Sequence, residues 1–197
     1  MTDTVELSRL KSFSDGVFAI AATLLAFNVH LPAAPDQPFG ALLDQMEPQI
    51  LAFLISFMVA AVYWRNHNRL FAMLDKVDTR LNQLNMALLA AVCLMPFVSG
   101  LIAGFSPNPG AFTLYAAAMA TIGAVAAAQW AYAATHPALL SPHVTPKELW
   151  RWFAVACVAP ATFLLSIALA SVSVEWAMRS WLLIVALIPL ARHLTHR

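Results

Sequence analysis

Apolar residues run along this chain in six long blocks, near positions 8 to 31, 48 to 70, 80 to 103, 111 to 135, 148 to 172 and 175 to 193. Each block is close to the roughly 20 apolar residues that a helix needs to cross the hydrocarbon core of a bilayer. Polar and proline-rich punctuation separates them: Pro32, Pro35 and Pro38 follow the first, and Pro107, Asn108, Pro109 and Gly110 make a tight turn after the third. The pattern predicts an all-α membrane protein of six transmembrane helices, with residues 1–197 forming one domain and no linker. Pro96, Pro160 and Pro189 fall inside the third, fifth and sixth blocks, where each removes a backbone donor and favours a kink. In the fourth block Ala116, Ala120, Ala124 and Ala128 recur at four-residue spacing, a small-residue pattern that lets backbones approach closely.

The first block differs from the others in carrying a carboxylate, Asp15, inside its apolar run. A charged side chain near mid-bilayer costs roughly 2.5 to 3.5 kcal/mol on insertion scales, so such a residue has a partner and a task. At about 100° per residue, Phe13, Gly16, Ile20, Leu24 and Phe27 fall on one narrow stripe with Thr23 at its margin. Ser14 and Asp15 point well away from it. The stripe by itself is compatible with ordinary helix packing or with apolar rings in an assembly of several copies. The polar patch must meet neighbouring helices.

Depth narrows the choice of partners. Asp15 lies about a turn and a half inward from Arg9, counting 3.6 residues per turn. The second helix ends at that level with Trp64, His67 and Asn68 on one face, and the third begins there with Asn82 and Asn85 on one face.

Composition fixes the class. The chain is 61% hydrophobic and 11% charged, with a mean hydropathy of +0.72, against roughly 45 to 50% apolar and 25% charged in soluble domains. A formal charge of +1, with basic residues only at segment ends, offers nothing to nucleic acid. Cys93 and Cys157 lie in apolar runs without paired spacing, and His30, His136, His143, His193 and His196 sit at helix ends or tails without ligand geometry. No nucleophile stands with a base. No metal, no cofactor and no enzymatic activity are expected.

Of the 11 basic residues, all but Arg179 fall on one side of the predicted helices, which places both termini in the cytoplasm of a multi-pass protein of the cell membrane. Asp36, Asp44, Glu47 and Glu175 fall on the other side, either as a mouth that draws cations or as a solvated face. Asp15 and the length of the first block argue against a cleaved signal peptide, although Ala33-Ala34 imitates a cleavage site.

Arg9, Phe13, Ser14 and Asp15 form the spacing R-x-x-x-F-S-D, followed by Gly16-Val17-Phe18-Ala19-Ile20. This resembles the signature first helix of the transmembrane protein 175 family, the endolysosomal potassium channels and their prokaryotic relatives. The likeness continues through the run from Tyr63 to Phe71 and from Leu81-Asn82 to Met95-Pro96-Phe97. It covers about the first half of the chain; beyond Gly100 only hydropathy agrees, and Asn68 stands where the family pattern has a second histidine beside His67.

The resemblance implies a potassium-favouring cation channel, a homotetramer in membrane lipid with the first helix lining a central pore. Ser14 and Asp15 would bond to His67, Asn82 or Asn85, and Arg9 would help neutralise the carboxylate, bracing that helix from behind. Ile20 would be the constriction, with Leu24 and Phe27 in further rings and Thr23 hydroxyls nearby. No T-V-G-Y-G carbonyl filter and no ring of acids exists on the stripe, which leaves a hydrophobic neck that gates by dewetting. Potassium sheds water more readily than sodium, so discrimination would be modest, with proton passage left open. Two rival readings stay open: a proton-coupled secondary transporter with Asp15 and His67 as a relay, and a membrane protein in which the stripe is only a packing seam.

Overall fold

The computed structural model of the chain describes residues 2–31, 38–105, 108–184 and 187. It is all-helical, and five helical segments among the described residues are long and apolar enough to cross a membrane. The first is α1 (Thr2–Leu24), which tightens into a 3-10 turn at Leu25–Asn28. The second is α2 (Phe39–Ala72). It begins well before residue 48, because the amphipathic stretch from Phe39 to Glu47 continues the helix beyond the apolar block that marks the membrane. Pro48 sits inside it on an exposed face, where a lost backbone bond is least costly.

The third segment is broken into α3 (Thr79–Cys93) and α4 (Met95–Phe105), and the fifth into α6 (Pro146–Ala156) and α7 (Val158–Ala170). The breaks at Leu94 and Cys157 precede Pro96 and Pro160 by two and three residues. Each proline lacks the N–H that the carbonyl four residues earlier would accept, so the ladder fails there. The fourth segment, α5 (Pro109–Thr135), is continuous; Asn108 caps it by accepting from the Gly110 and Ala111 N–H groups at 2.8 and 3.3 Å. Of the sixth block, α8 (Val174–Ser180) and the turn after it are described. Pro189, Pro32, Pro35, Asp36 and Pro107 lie outside the described residues.

The central element is α5, against which α2, α3, α4, α6 and α7 all pack. Its close approach is not made by the four-residue alanine stripe. Ala116 and Ala120 are buried, but Ala124 is exposed. A four-residue step advances about 400°, so each repeat drifts about 40° off the seam and the third has left it. Gly123 takes its place: a Cβ there would lie 2.7 Å from Pro160 Cδ and 3.0 Å from the Tyr63 hydroxyl. Tyr63 in turn donates to the Met119 carbonyl at 2.7 Å, so α2, α5 and α7 meet at one point. A second buried knot lies further along, where the Ser56 hydroxyl is 2.9 Å from that of Ser99 and 3.2 Å from that of Tyr115.

At the opposite end, the connection after α2 and the one after α5 pair through a short backbone bridge. Asp75 N–H donates to the Leu139 carbonyl at 2.9 Å, and Ser141 N–H to the Met73 carbonyl at 3.0 Å. Asp78 caps α3 by accepting from Leu81 N–H at 2.8 Å and also accepts from the Tyr132 hydroxyl at 2.6 Å. Partial burial works against ionisation of Asp78, but those hydrogen bonds outweigh it, and the carboxyl is held below the usual range.

Candidate functional site

The two faces of α1 have opposite environments. Ser14, Phe18, Ala21 and Leu25, spaced at i, i+4, i+7 and i+11, are all buried against α2, α3 and α4. The predicted stripe is open: Phe13 is 55% exposed, Ile20 61%, Leu24 42% and Phe27 74%, and Gly16 and Thr23 are exposed with them. The 3-10 turn alters the wheel after Leu24. With three residues per turn, side chains at i and i+3 eclipse, so Phe27 stands directly over Leu24. Thr23 Oγ1 donates to the Ile20 carbonyl at 2.8 Å, which turns its hydroxyl hydrogen back onto the helix.

Behind the stripe runs a chain of hydrogen bonds with one direction. His67 Nε2 is 2.8 Å from Asn85 Oδ1, and since that oxygen can only accept, the imidazole donates through Nε2. Asn85 Nδ2 donates to Ser14 Oγ at 2.9 Å, and Ser14 Oγ donates to the Leu10 carbonyl at 2.8 Å. Gln129 Nε2 reaches the same Asn85 oxygen at 3.4 Å. Asn85 therefore joins α1, α2, α3 and α5, and Ser14, His67, Asn85 and Gln129 are all essentially inaccessible. The His67 ring is stacked on Phe71 at 4.2 Å and tilted against Phe18 at 5.7 Å, and its Nδ1 has no hydrogen-bond partner.

Asp15 is half-buried and stands beside this chain without joining it. Its Oδ1 accepts from Trp64 Nε1 at 2.8 Å rather than from His67, Asn82 or Asn85. The reason is angular: Asp15 is rotated about 100° from Ser14 and faces α2. It lies at the end of a groove of about 470 Å³ between α1 and α2, floored by Ala19, Ala22, Ala60 and Ala61. Arg9 and Asn82 are exposed. Both line a separate groove of about 790 Å³ between the starts of α1 and α3, together with Glu6 and Asp78. Arg9 precedes Asp15 by six residues, about 120° around the helix, and the ion pair expected between them is not formed.

The C-terminal end of the first segment is also tied. Asn28 Nδ2 donates to the Pro96 carbonyl at 2.7 Å, and a Cβ on Gly100 would come within 2.8 Å of Asn28 Oδ1, so α4 accommodates that side chain only because residue 100 is glycine. His30 N–H donates to Gln49 Oε1 at 2.7 Å. Among the described residues no group of three His, Cys, Asp or Glu is placed to hold a metal ion.

Sequence reasoning placed Ser14, His67 and Asn85 at one depth but missed Gln129, Trp64 as the partner of Asp15, and the Asn28 tether. Gln129 had a usable signal. It is a lone amide in an alanine-rich membrane helix, and such a group must find a buried partner.

A family model described as endosomal/lysosomal potassium channel TMEM175 matches residues 9–96. The chain is 33% identical over 175 residues to a potassium channel of Chamaesiphon minutus, spanning 86% of this chain and 86% of that one. It is 32% identical over 138 residues to the human endosomal/lysosomal proton channel TMEM175, spanning 69% of this chain and 27% of the human protein. In three dimensions it matches the crystal structure of a lysosomal potassium-selective channel TMEM175 homolog from Chamaesiphon minutus with a TM-score of 0.78 and 28% sequence identity, over 98% of this chain and 100% of that one.

Proposed function

The chain belongs to the TMEM175 family of membrane cation channels, and from that premise we propose that it conducts potassium in preference to sodium through a neck lined by α1 from four identical copies. The observation that carries this reading is the division of α1 into a fastened polar face and an open apolar stripe. A pore wall needs several copies of such a stripe, because one subunit holds only one. Ile20, Leu24 and Phe27 then form successive hydrophobic rings, with Thr23 at their margin. Ile20 is the constriction, five residues beyond Asp15 and near mid-bilayer. The Ser14, Asn85, His67 and Gln129 chain and the Asp15–Trp64 bond hold α1 at the radius where its stripe meets the axis. The protein sits in the cell membrane with both termini cytoplasmic.

The closed barrier is the cost of wetting an apolar neck, with no charge repulsion involved. Selectivity comes from the readier dehydration of potassium and is modest. Protons pass as well, in keeping with relatives that are named proton channels. Current recordings from reconstituted protein test the reading. Ile20→Asn raises conductance and weakens potassium preference, whereas Ile20→Phe suppresses current. Leu24 and Phe27 variants shift in the same direction by less. Wild-type conductance and selectivity in Ile20→Asn would remove α1 from the pore.

A further inference from the structure

The first segment is fastened to its neighbours at two places, and the brace at Ser14 is only one of them. The other lies in the 3-10 turn Leu25–Asn28. Three residues per turn set Leu25 and Asn28 on one line and Leu24 and Phe27 on another, about 120° away. Leu25 is fully buried, and Asn28 is half-buried against α4, where its Nδ2 donates to the Pro96 carbonyl at 2.7 Å. Phe27, next to that tethered residue, is exposed.

The receiving surface is shaped for this side chain. Gly100 lies one turn beyond Pro96, and a Cβ there would meet Asn28 Oδ1 at 2.8 Å, its Cγ at 3.2 Å and its Nδ2 at 3.6 Å, so the whole amide seats on bare backbone of α4. α4 is itself held at this level. Ser99 is inaccessible, with its hydroxyl 2.9 Å from that of Ser56 on α2, which lies 3.2 Å from the hydroxyl of Tyr115 on α5. The tether therefore ends on a point that several packed helices fix.

What it holds is a choice between two windings. Val29 N–H donates to the Ala26 carbonyl at 3.1 Å, a bond across three residues that keeps the turn 3-10. In that winding Phe27 stands over Leu24; continued as α-helix at about 100° per residue, the chain would carry Phe27 about 60° off that line. The tight winding has the poorer hydrogen-bond geometry, and the Asn28 bond to α4 compensates for it. The Ser14 brace cannot serve in its place, because it lies about three and a half turns from Phe27.

We propose that Asn28 is a positioning residue for conduction: its bond to α4 holds the 3-10 turn, and the turn holds Phe27 in line with Leu24 on the stripe. The proposal rests on the pore reading and adds which contact sets the Phe27 ring. Gly100 is its counterpart, the position whose lack of a side chain admits the amide.

The test is the rate at which a charged methanethiosulfonate modifies Phe27→Cys or Ile20→Cys, read as a change in current through reconstituted protein that also carries Cys93→Ala and Cys157→Ala. Adding Asn28→Leu is expected to slow modification at position 27 about fivefold, the factor that one ordinary hydrogen bond supports. Gly100→Ala should do the same from the other side, since its methyl displaces the end of a flexible side chain and leaves α1 unaltered. The rate at position 20 should hold in both. Gln49→Ala, which releases the exposed bond from His30 N–H and leaves Asn28 in place, should change neither rate. Unchanged rates at position 27 in both Asn28→Leu and Gly100→Ala, an equal slowing at position 20, or an equal slowing in Gln49→Ala would overturn the proposal while the pore reading stands. If neither cysteine altered the current on modification with Asn28 intact, the pore reading would fall and the proposal with it.

Discussion

The back and the front of α1 are built on different principles, although they are separated by less than one helical turn. On the back, Ser14 is inaccessible and tied through Asn85 to His67 and Gln129, so three other helices determine where it sits. On the front, Ile20 and Phe27 are among the more exposed large apolar side chains and touch little of their own chain. The polar face therefore carries the position of the helix, and the apolar face is released from that duty. In lipid this division has a clear cause. Apolar side chains gain little from leaving hydrocarbon for a protein surface, whereas an unmet polar group there costs several kcal/mol.

Substitutions on the two faces should thus separate stability from conduction. The largest stability loss is expected from Asn85→Leu, which removes the acceptor of His67 and Gln129 and the donor to Ser14. With a buried unmet group costing about 1–3 kcal/mol, the variant should lose about 3 kcal/mol or more. For a chain of this size that is a fall of about 10 °C in the detergent melting midpoint. A variant that melts with the wild type would break the comparison at its root.

Asp15→Ala comes next. It leaves Trp64 Nε1 without its acceptor at a half-buried site, for a loss of about 1 kcal/mol. Trp64→Phe should cost a similar amount, and the double variant little more than either, because both remove one bond. Permeability ratios should hold. A stable Asp15→Ala protein with altered ratios would move the carboxylate from the brace to the ion path.

Tyr132→Phe probes the support one step further back, at the start of the helix that carries Asn85. The folded Asp78 carboxyl titrates below its unfolded value, so its contribution is complete above about pH 4 and is lost as pH falls through the lower, folded value. Loss of the tyrosine hydroxyl should remove part of that acid-dependent decline, read as a shallower fall of the melting midpoint below about pH 4. An unchanged acid profile would detach the Asp78–Tyr132 bond from the stability of α3.

Ile20→Asn should lower the melting midpoint less than any of the brace variants, because Ile20 is exposed within its own subunit and bonds to none of the brace, while changing current most. A large drop in the melting midpoint would show that the front of α1 also carries structural weight, and would sharpen the division into a gradient.

Much of this molecule is local and so was legible in the chain. Block length announced the helices, prolines 96 and 160 announced two breaks, the residue period separated Ile20 from Ser14, and the R-x-x-x-F-S-D spacing pointed to the family. What lay beyond reach depended on how helices turn toward one another. That Asp15 takes Trp64 while Arg9 and Asn82 face a separate groove is a matter of a hundred degrees of rotation, which no count of depth resolves. That Gly123 replaces the alanine stripe follows from a 40° drift per repeat meeting one proline on α7. Gln129 joins the brace because α5 passes beside Asn85. Periodicity along one helix states which residues share a face, and only the packing of several helices decides which faces meet.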